Sequence, residues 1–74
     1  MEIIEIYTDF IKLERAIKLS GTTLTGGEAK MLIISEAVSV NGEVSTQRGK
    51  KLYDGDKIVV RYGDDPEEFI IKKV

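Results

Sequence analysis

Cysteine, histidine and tryptophan are all absent from this 74-residue sequence, and proline occurs once. Without cysteine there is no disulfide framework, no thiolate metal site and no thiol nucleophile. Without histidine, the commonest metal ligand and the commonest general base at neutral pH are both missing. Long apolar runs are missing too: nothing approaches the ~20 residues that cross a bilayer. The opening residues, Met1-Glu2-Ile3-Ile4-Glu5, carry acid where a secretory signal carries lysine or arginine, so a cytoplasmic protein beginning near its initiator methionine is expected.

The composition is that of one small globular domain, with 42% hydrophobic and 32% charged residues. A chain this short buries only ~60% of the surface its unfolded form exposes, so a thin stability margin is expected. The formal net charge is −2, but it is unevenly spread. Between residues 10 and 53, seven bases (Lys12, Arg15, Lys18, Lys30, Arg48, Lys50 and Lys51) face four acids (Glu14, Glu28, Glu36 and Glu43). Both ends are acidic. Since screening confines surface potentials to a Debye length of ~8–10 Å, this split permits a basic face on an acidic protein.

Hydrophobic periodicity divides the chain into short elements. Glu2–Tyr7 interleaves isoleucine with glutamate, as a half-buried strand does. From Lys12 the period changes: Leu13, Ala16, Ile17 and Ser20 share a helical face, and Gly21 suits a left-handed helix stop. Thr25-Gly26-Gly27-Glu28 fits a capping box opening a second helix, with Ala29, Leu32 and Ile33 as its apolar stripe. Val38-Ser39-Val40-Asn41-Gly42-Glu43-Val44 alternates and turns on Asn-Gly, the hairpin signal. Ser45–Lys51 reads as a polar, basic loop or irregular strand, and residues 52–56 as a turn. Ile58–Tyr62 and Phe69–Val74 read as strands joined by an acidic turn. The sum is a single α+β domain, two short helices packed on a small, mainly antiparallel sheet. The first and last strands are expected beside the Ile58–Tyr62 strand, because two-stranded ribbons alone are marginal.

Most motifs that suggest catalysis are incomplete. Gly21 to Gly26 has the glycine spacing of a phosphate-binding loop, but Gly27-Glu28 stands where Lys-Ser/Thr is required. The carboxylate pairs at Asp54/Asp56, Asp64/Asp65 and Glu67/Glu68 fall in or beside turns, where acidic residues serve solubility and local hydrogen bonds. Asp54-Gly55-Asp56 lacks the further ligands of a calcium loop. An enzyme is not expected, nor a cofactor, a metal or a small-molecule substrate. The basic residues are more informative. If the two helices and the segment after the hairpin pack together, Lys12, Arg15, Lys30, Arg48, Lys50 and Lys51 converge around the Thr25-Gly26-Gly27 helix start, whose backbone N–H groups a phosphate could approach. The alternative is a scatter of solvated lysines. Tyr7, Phe10, Tyr53, Tyr62 and Phe69 form no aromatic ladder and read mostly as core or sheet residues; Tyr53, beside the basic segment, is the one stacking candidate.

In this order and spacing, the motifs resemble the S-four RNA-binding domain, named after small-subunit ribosomal protein four and built on the alpha-L motif. Lys12-Leu13-Glu14 is similar to its Arg-Leu-Asp opening, Thr25 with Ala29 to the start of its second helix, Val38-Ser39-Val40-Asn41-Gly42 to its hairpin, and Gly55-Asp56 with Ile58 to its closing turn. Within that superfamily, Gly26-Gly27-Glu28-Ala29-Lys30 and Arg48-Gly49-Lys50-Lys51-Leu52 resemble small stand-alone bacterial YaaA-type proteins. The resemblance covers about residues 10–60. It implies a monomeric, non-catalytic module that binds structured RNA, ribosomal RNA or a ribosomal particle, in translation. By motif position it implies contacts from Lys12, Arg15, Thr25, Gly26, Gly27, Lys30, Arg48, Lys50 and Lys51. Three positions depart from the pattern: Ala37 for glycine before the hairpin, Gln47 for a basic residue, and Asp54 for proline. The last two lower the local charge, so weaker affinity than in a typical member is expected. A protein-interaction module of the same fold, using the acidic ends or a sheet edge, is the alternative function.

Overall fold

A computed structural model describes residues 2–21, 26–61 and 64–74. In chain order the elements are β1 (Glu2–Ile6), β2 (Ile11–Lys12), α1 (Leu13–Leu19), α2 (Gly26–Ile34), β3 (Val38–Val40), β4 (Glu43–Val44), β5 (Lys51–Leu52), β6 (Lys57–Val60) and β7 (Glu67–Lys73). Five strands form one sheet in the order β1-β7-β6-β3-β4; β2 and β5 form a separate antiparallel ribbon. All pairings in the large sheet are antiparallel except β1 with β7.

The position of β1 corrects the sequence-based expectation. The last strand does lie beside β6, but the first lies beside β7, with Ile4 opposite Ile71. A strand has two hydrogen-bonding edges, and both edges of β6 are taken, by β3 and by the β6–β7 hairpin. The outer edge of β7 is what remains for β1.

One face of the sheet carries the core. Ile4, Ile6, Val38, Val40, Ile58, Val60, Phe69 and Ile71 point inward from alternate strand positions and are buried. Against them pack Leu13, Ala16 and Ile17 of α1 and Ala29 and Ile33 of α2, with Leu32 partly buried beside them. Each large apolar side chain so buried stabilises the fold by roughly 1.5–3 kcal/mol relative to exposure. Ile11 and Leu52 of the ribbon join the same core.

The helix ends follow the residues that close them. Ser20 donates its hydroxyl to the Ile17 carbonyl at 2.6 Å, and Gly21 at φ 82 stops α1. The Thr25 capping role lies outside the described residues. At the end of α2 the Glu36 N–H donates to the Ile33 carbonyl (3.2 Å) and the Ala37 N–H to the Leu32 carbonyl (3.1 Å), the Schellman arrangement. Its left-handed residue is Glu36, at φ 67, one position ahead of Ala37. The chain therefore turns into β3 without a glycine. The β3–β4 hairpin closes through Asn41 (φ 51) and Gly42 (φ 88), with Val40 opposite Glu43, as its Asn-Gly pair leads one to expect.

Candidate nucleic-acid interface

The basic segment after the hairpin is tied to the start of α1 by backbone alone. Lys12 is the N-cap residue, in extended conformation, and its side chain caps nothing. The first N–H groups of the helix are instead satisfied by the loop: Leu13 N–H donates to the Lys50 carbonyl (2.9 Å) and Glu14 N–H to the Arg48 carbonyl (3.1 Å). The Lys50 N–H donates to the Gln47 carbonyl at 3.2 Å, closing the loop into a turn. The ribbon then places Ile11 opposite Leu52 and Lys12 opposite Lys51. Ile11 and Leu52 are buried, which leaves Lys12 and Lys51 together on the exposed face.

Five of the residues anticipated from sequence, Lys12, Arg15, Arg48, Lys50 and Lys51, are thereby gathered around the start of α1, and all five are exposed. Lys12, Arg15 and Lys18 line a shallow groove along the helix, interrupted by Glu14. The ion pairs among the described residues are Lys57–Glu68 (3.0 Å) and Lys73–Asp9 (2.7 Å), so these five cations carry no ion pair. Lys30 is exposed on α2, and Gly26 and Gly27 open that helix. They are related to the five by the packing of α2 on α1. Thr25 lies outside the described residues.

Two departures from the family pattern have visible roles. The Asp54 carboxylate accepts the Lys73 N–H at 2.8 Å, so it is committed to the end of β7. The Gln47 N–H donates to the Ser45 hydroxyl oxygen at 3.4 Å within the loop. The hairpin turn and the closing turn, separate in sequence, are joined side chain to side chain. Asn41 donates Nδ2–H to Asp56 Oδ1 (3.0 Å), and its Oδ1 accepts the Lys57 N–H (2.9 Å). Asp56 Oδ2 also accepts the Tyr53 N–H (2.7 Å). This clamp fixes where the chain, leaving the ribbon through Tyr53, enters β6 of the sheet.

Sequence reasoning singled out Tyr53 but missed two further aromatic residues beside the cations, Phe10 and Tyr7. Phe10 is half-buried, with Lys51 Nζ 4.7 Å above its ring and the Tyr53 ring 6.2 Å away, tilted by 53°. Tyr7 is 81% exposed, so it is no core residue. The alternation of β1 held that signal: with Ile4 and Ile6 inward, Tyr7 must point outward. The bend that carries these rings is pinned. Thr8 donates its hydroxyl to the Phe10 carbonyl (2.7 Å), and Asp9 pairs with Lys73. The hydrogen bond from Lys73, with its positive charge, holds the Asp9 carboxyl below its ordinary value of 3.8.

Among the described residues, no group of three or more acidic side chains could hold a metal ion, and no helix is long and apolar enough to cross a membrane.

The same arrangement of helices and sheet occurs in known proteins. The trimeric structure of Vibrio cholerae heat shock protein 15 superposes with a TM-score of 0.76 at 23% identity, over 88% of this chain and 65% of that one. The chain thus spans about two thirds of that protein, and the likeness is one of fold. In sequence, the chain is 39% identical over 57 residues to the "Probable ribosome maturation protein RlbA" of Bacillus subtilis (strain 168), covering 77% of this chain and 80% of that protein. Residues 4–67 match the S4 domain, from the second half of β1 to the first residue of β7. The chain belongs to the S4 domain family.

Proposed function

We propose that this protein is a non-catalytic module that binds structured RNA, ribosomal RNA or a ribosomal particle, as a monomer in the cytoplasm. One observation carries the reading. Lys12 and Lys51 are directly opposed in the ribbon, with Arg15, Arg48 and Lys50 around them and no ion pair on any of the five. Like charges placed directly opposite destabilise a ribbon by ~0.2–1 kcal/mol. A polyanion would turn that cost into affinity. The S4 domain membership and the ribosome maturation relative support RNA as the polyanion and the ribosome as its setting. Lys30 and the Gly26–Gly27 helix start extend the proposed contact along the second helix, Thr25 with them, where N–H groups and the helix dipole favour phosphate.

The test is the salt dependence of RNA binding. Five phosphate contacts at ~0.7–0.9 each give a slope of log K against log salt of roughly −3.5 to −4.5. Replacing Arg48, Lys50 and Lys51 with alanine should make the slope shallower by roughly 2 to 3 and leave the melting temperature nearly unchanged, since all three side chains are exposed. A slope near zero in the wild type would defeat the reading; an unchanged slope in the triple variant would remove the loop from the site.

A second reading rests on β1, whose five residues form one edge of the sheet, the longer of the two, with Ile3 exposed. Such an edge can accept a strand from a protein partner. A partner retained after nuclease treatment and indifferent to salt would favour it.

A further inference from the structure

A groove runs between the Tyr7–Phe10 bend and α1, and its lining is of mixed chemistry. Tyr7, Phe10 and Leu19 supply apolar and aromatic surface, Lys12 and Arg15 stand along the helix side, and Glu5 lies on the β1 side. Lys51, with its Nζ 4.7 Å from the centre of the Phe10 ring, adds a third cation next to the groove. A phosphate alone has no use for the exposed ring of Tyr7. A hydrophobic protein segment has no use for three cations without ion pairs. A nucleotide matches both, because it joins a flat apolar base to an anionic phosphate.

We propose that this groove receives an unpaired base of the bound RNA, stacked on Tyr7 with Phe10 beside it, while the adjoining phosphates meet Lys12, Arg15 and Lys51. The proposal rests on the RNA-binding reading and extends it from phosphate contact to recognition of a single-stranded nucleotide beside a helix. Unstacked bases in loops, bulges and ends are the parts of structured RNA that aromatic side chains can reach. The groove also orients its guest. Glu5 would repel phosphate but accept a hydrogen bond from an amino group of a base, so the base lies toward β1 and the backbone toward α1. The backbone that carries the rings is held in advance, since the Thr8 hydroxyl bonds the Phe10 carbonyl and the Asp9–Lys73 pair ties the bend to β7. A bend set before binding has less conformational freedom to lose.

The experiment compares two RNA duplexes without loops, one blunt and one with a short single-stranded adenosine overhang, by fluorescence anisotropy at several salt concentrations. Adenine is used because purines offer the larger stacking face. Wild-type protein should prefer the overhang by about 5- to 150-fold, the range that one stacked base contributes. Tyr7→Ser should abolish that preference and leave blunt-duplex affinity unchanged, and Tyr7→Phe should keep it. Tyr7 is 81% exposed, so neither variant should disturb folding, and thermal melts confirm this. Equal affinity for the two RNAs, or a preference that survives Tyr7→Ser, overturns the base site; a steep salt slope in the same titrations leaves the phosphate surface standing. Failure to bind either RNA overturns both.

Discussion

Breaking the bond between Asn41 and Asp56 should cost this domain a sizeable part of its stability. Asn41→Ala removes two hydrogen bonds, Nδ2–H to Asp56 at 3.0 Å and the Lys57 N–H to Oδ1 at 2.9 Å. Both are exposed, so each contributes about 0.5–1.5 kcal/mol net. Alanine must also adopt φ 51, a left-handed conformation that asparagine tolerates and that costs other side chains about 1–2 kcal/mol. The expected total is about 2–5 kcal/mol, against a whole-domain stability on the order of 4–11 kcal/mol at this length. In a domain of this size each kcal/mol moves the melting temperature by roughly 4–8 °C, so thermal circular dichroism will resolve the change easily. Asn41→Gly should be milder than Asn41→Ala by about 1 kcal/mol, because glycine relieves the backbone term and loses only the bonds. In a double-mutant cycle, Asn41→Ala and Asp56→Ala should couple by about 0.5–1.5 kcal/mol in urea unfolding. Additivity within about 0.3 kcal/mol would refute the reasoning: the bond would then be geometry without energy.

Other outcomes follow from single residues. Glu36→Gly should stabilise the protein by about 0.5–1 kcal/mol, since glycine removes the strain at φ 67 and returns part of that gain as unfolded-state entropy; a lower midpoint in urea would mean the Glu36 side chain makes a contribution of its own. Asp9→Asn should lower the melting temperature at neutral pH. Because the folded-state pKa of Asp9 is depressed, its contribution is present above the ordinary value of 3.8 and disappears as pH falls through the lower, folded value. The wild-type and variant melting curves should therefore converge in acid, and a gap independent of pH would rule out the Lys73 pairing as its source.

Much of the fold was legible because it is local. Asn41-Gly42 demanded a tight hairpin turn, Gly21 a helix stop, and the isoleucines of Glu2–Ile6 a half-buried strand, since each depends on backbone preference and the neighbouring few residues. The basic set was legible as a composition but not as a place. Nothing in the spacing of Lys12 and Lys51 says that they face each other; that follows from burying Ile11 and Leu52 on the other side of one ribbon. The position of β1 was likewise decided by competition for the edges of β6, which no local pattern records.

By itself, then, the sequence determined the two helices, the Asn-Gly hairpin, the first, sixth and last strands and the exclusion of thiol and imidazole chemistry. Short-range sterics and periodicity suffice for those. The two-residue strands β2 and β5, read as part of the chain before the first helix and as a loop and turn, appeared only when the ribbon paired. Tertiary structure alone decided that the loop carbonyls of Arg48 and Lys50 close α1, that Asn41 meets Asp56 across 15 residues of chain, and that Phe10 comes to rest beneath Lys51. Those contacts join segments distant in sequence, and they form only because the chain buries one common core and must satisfy its remaining polar groups around it.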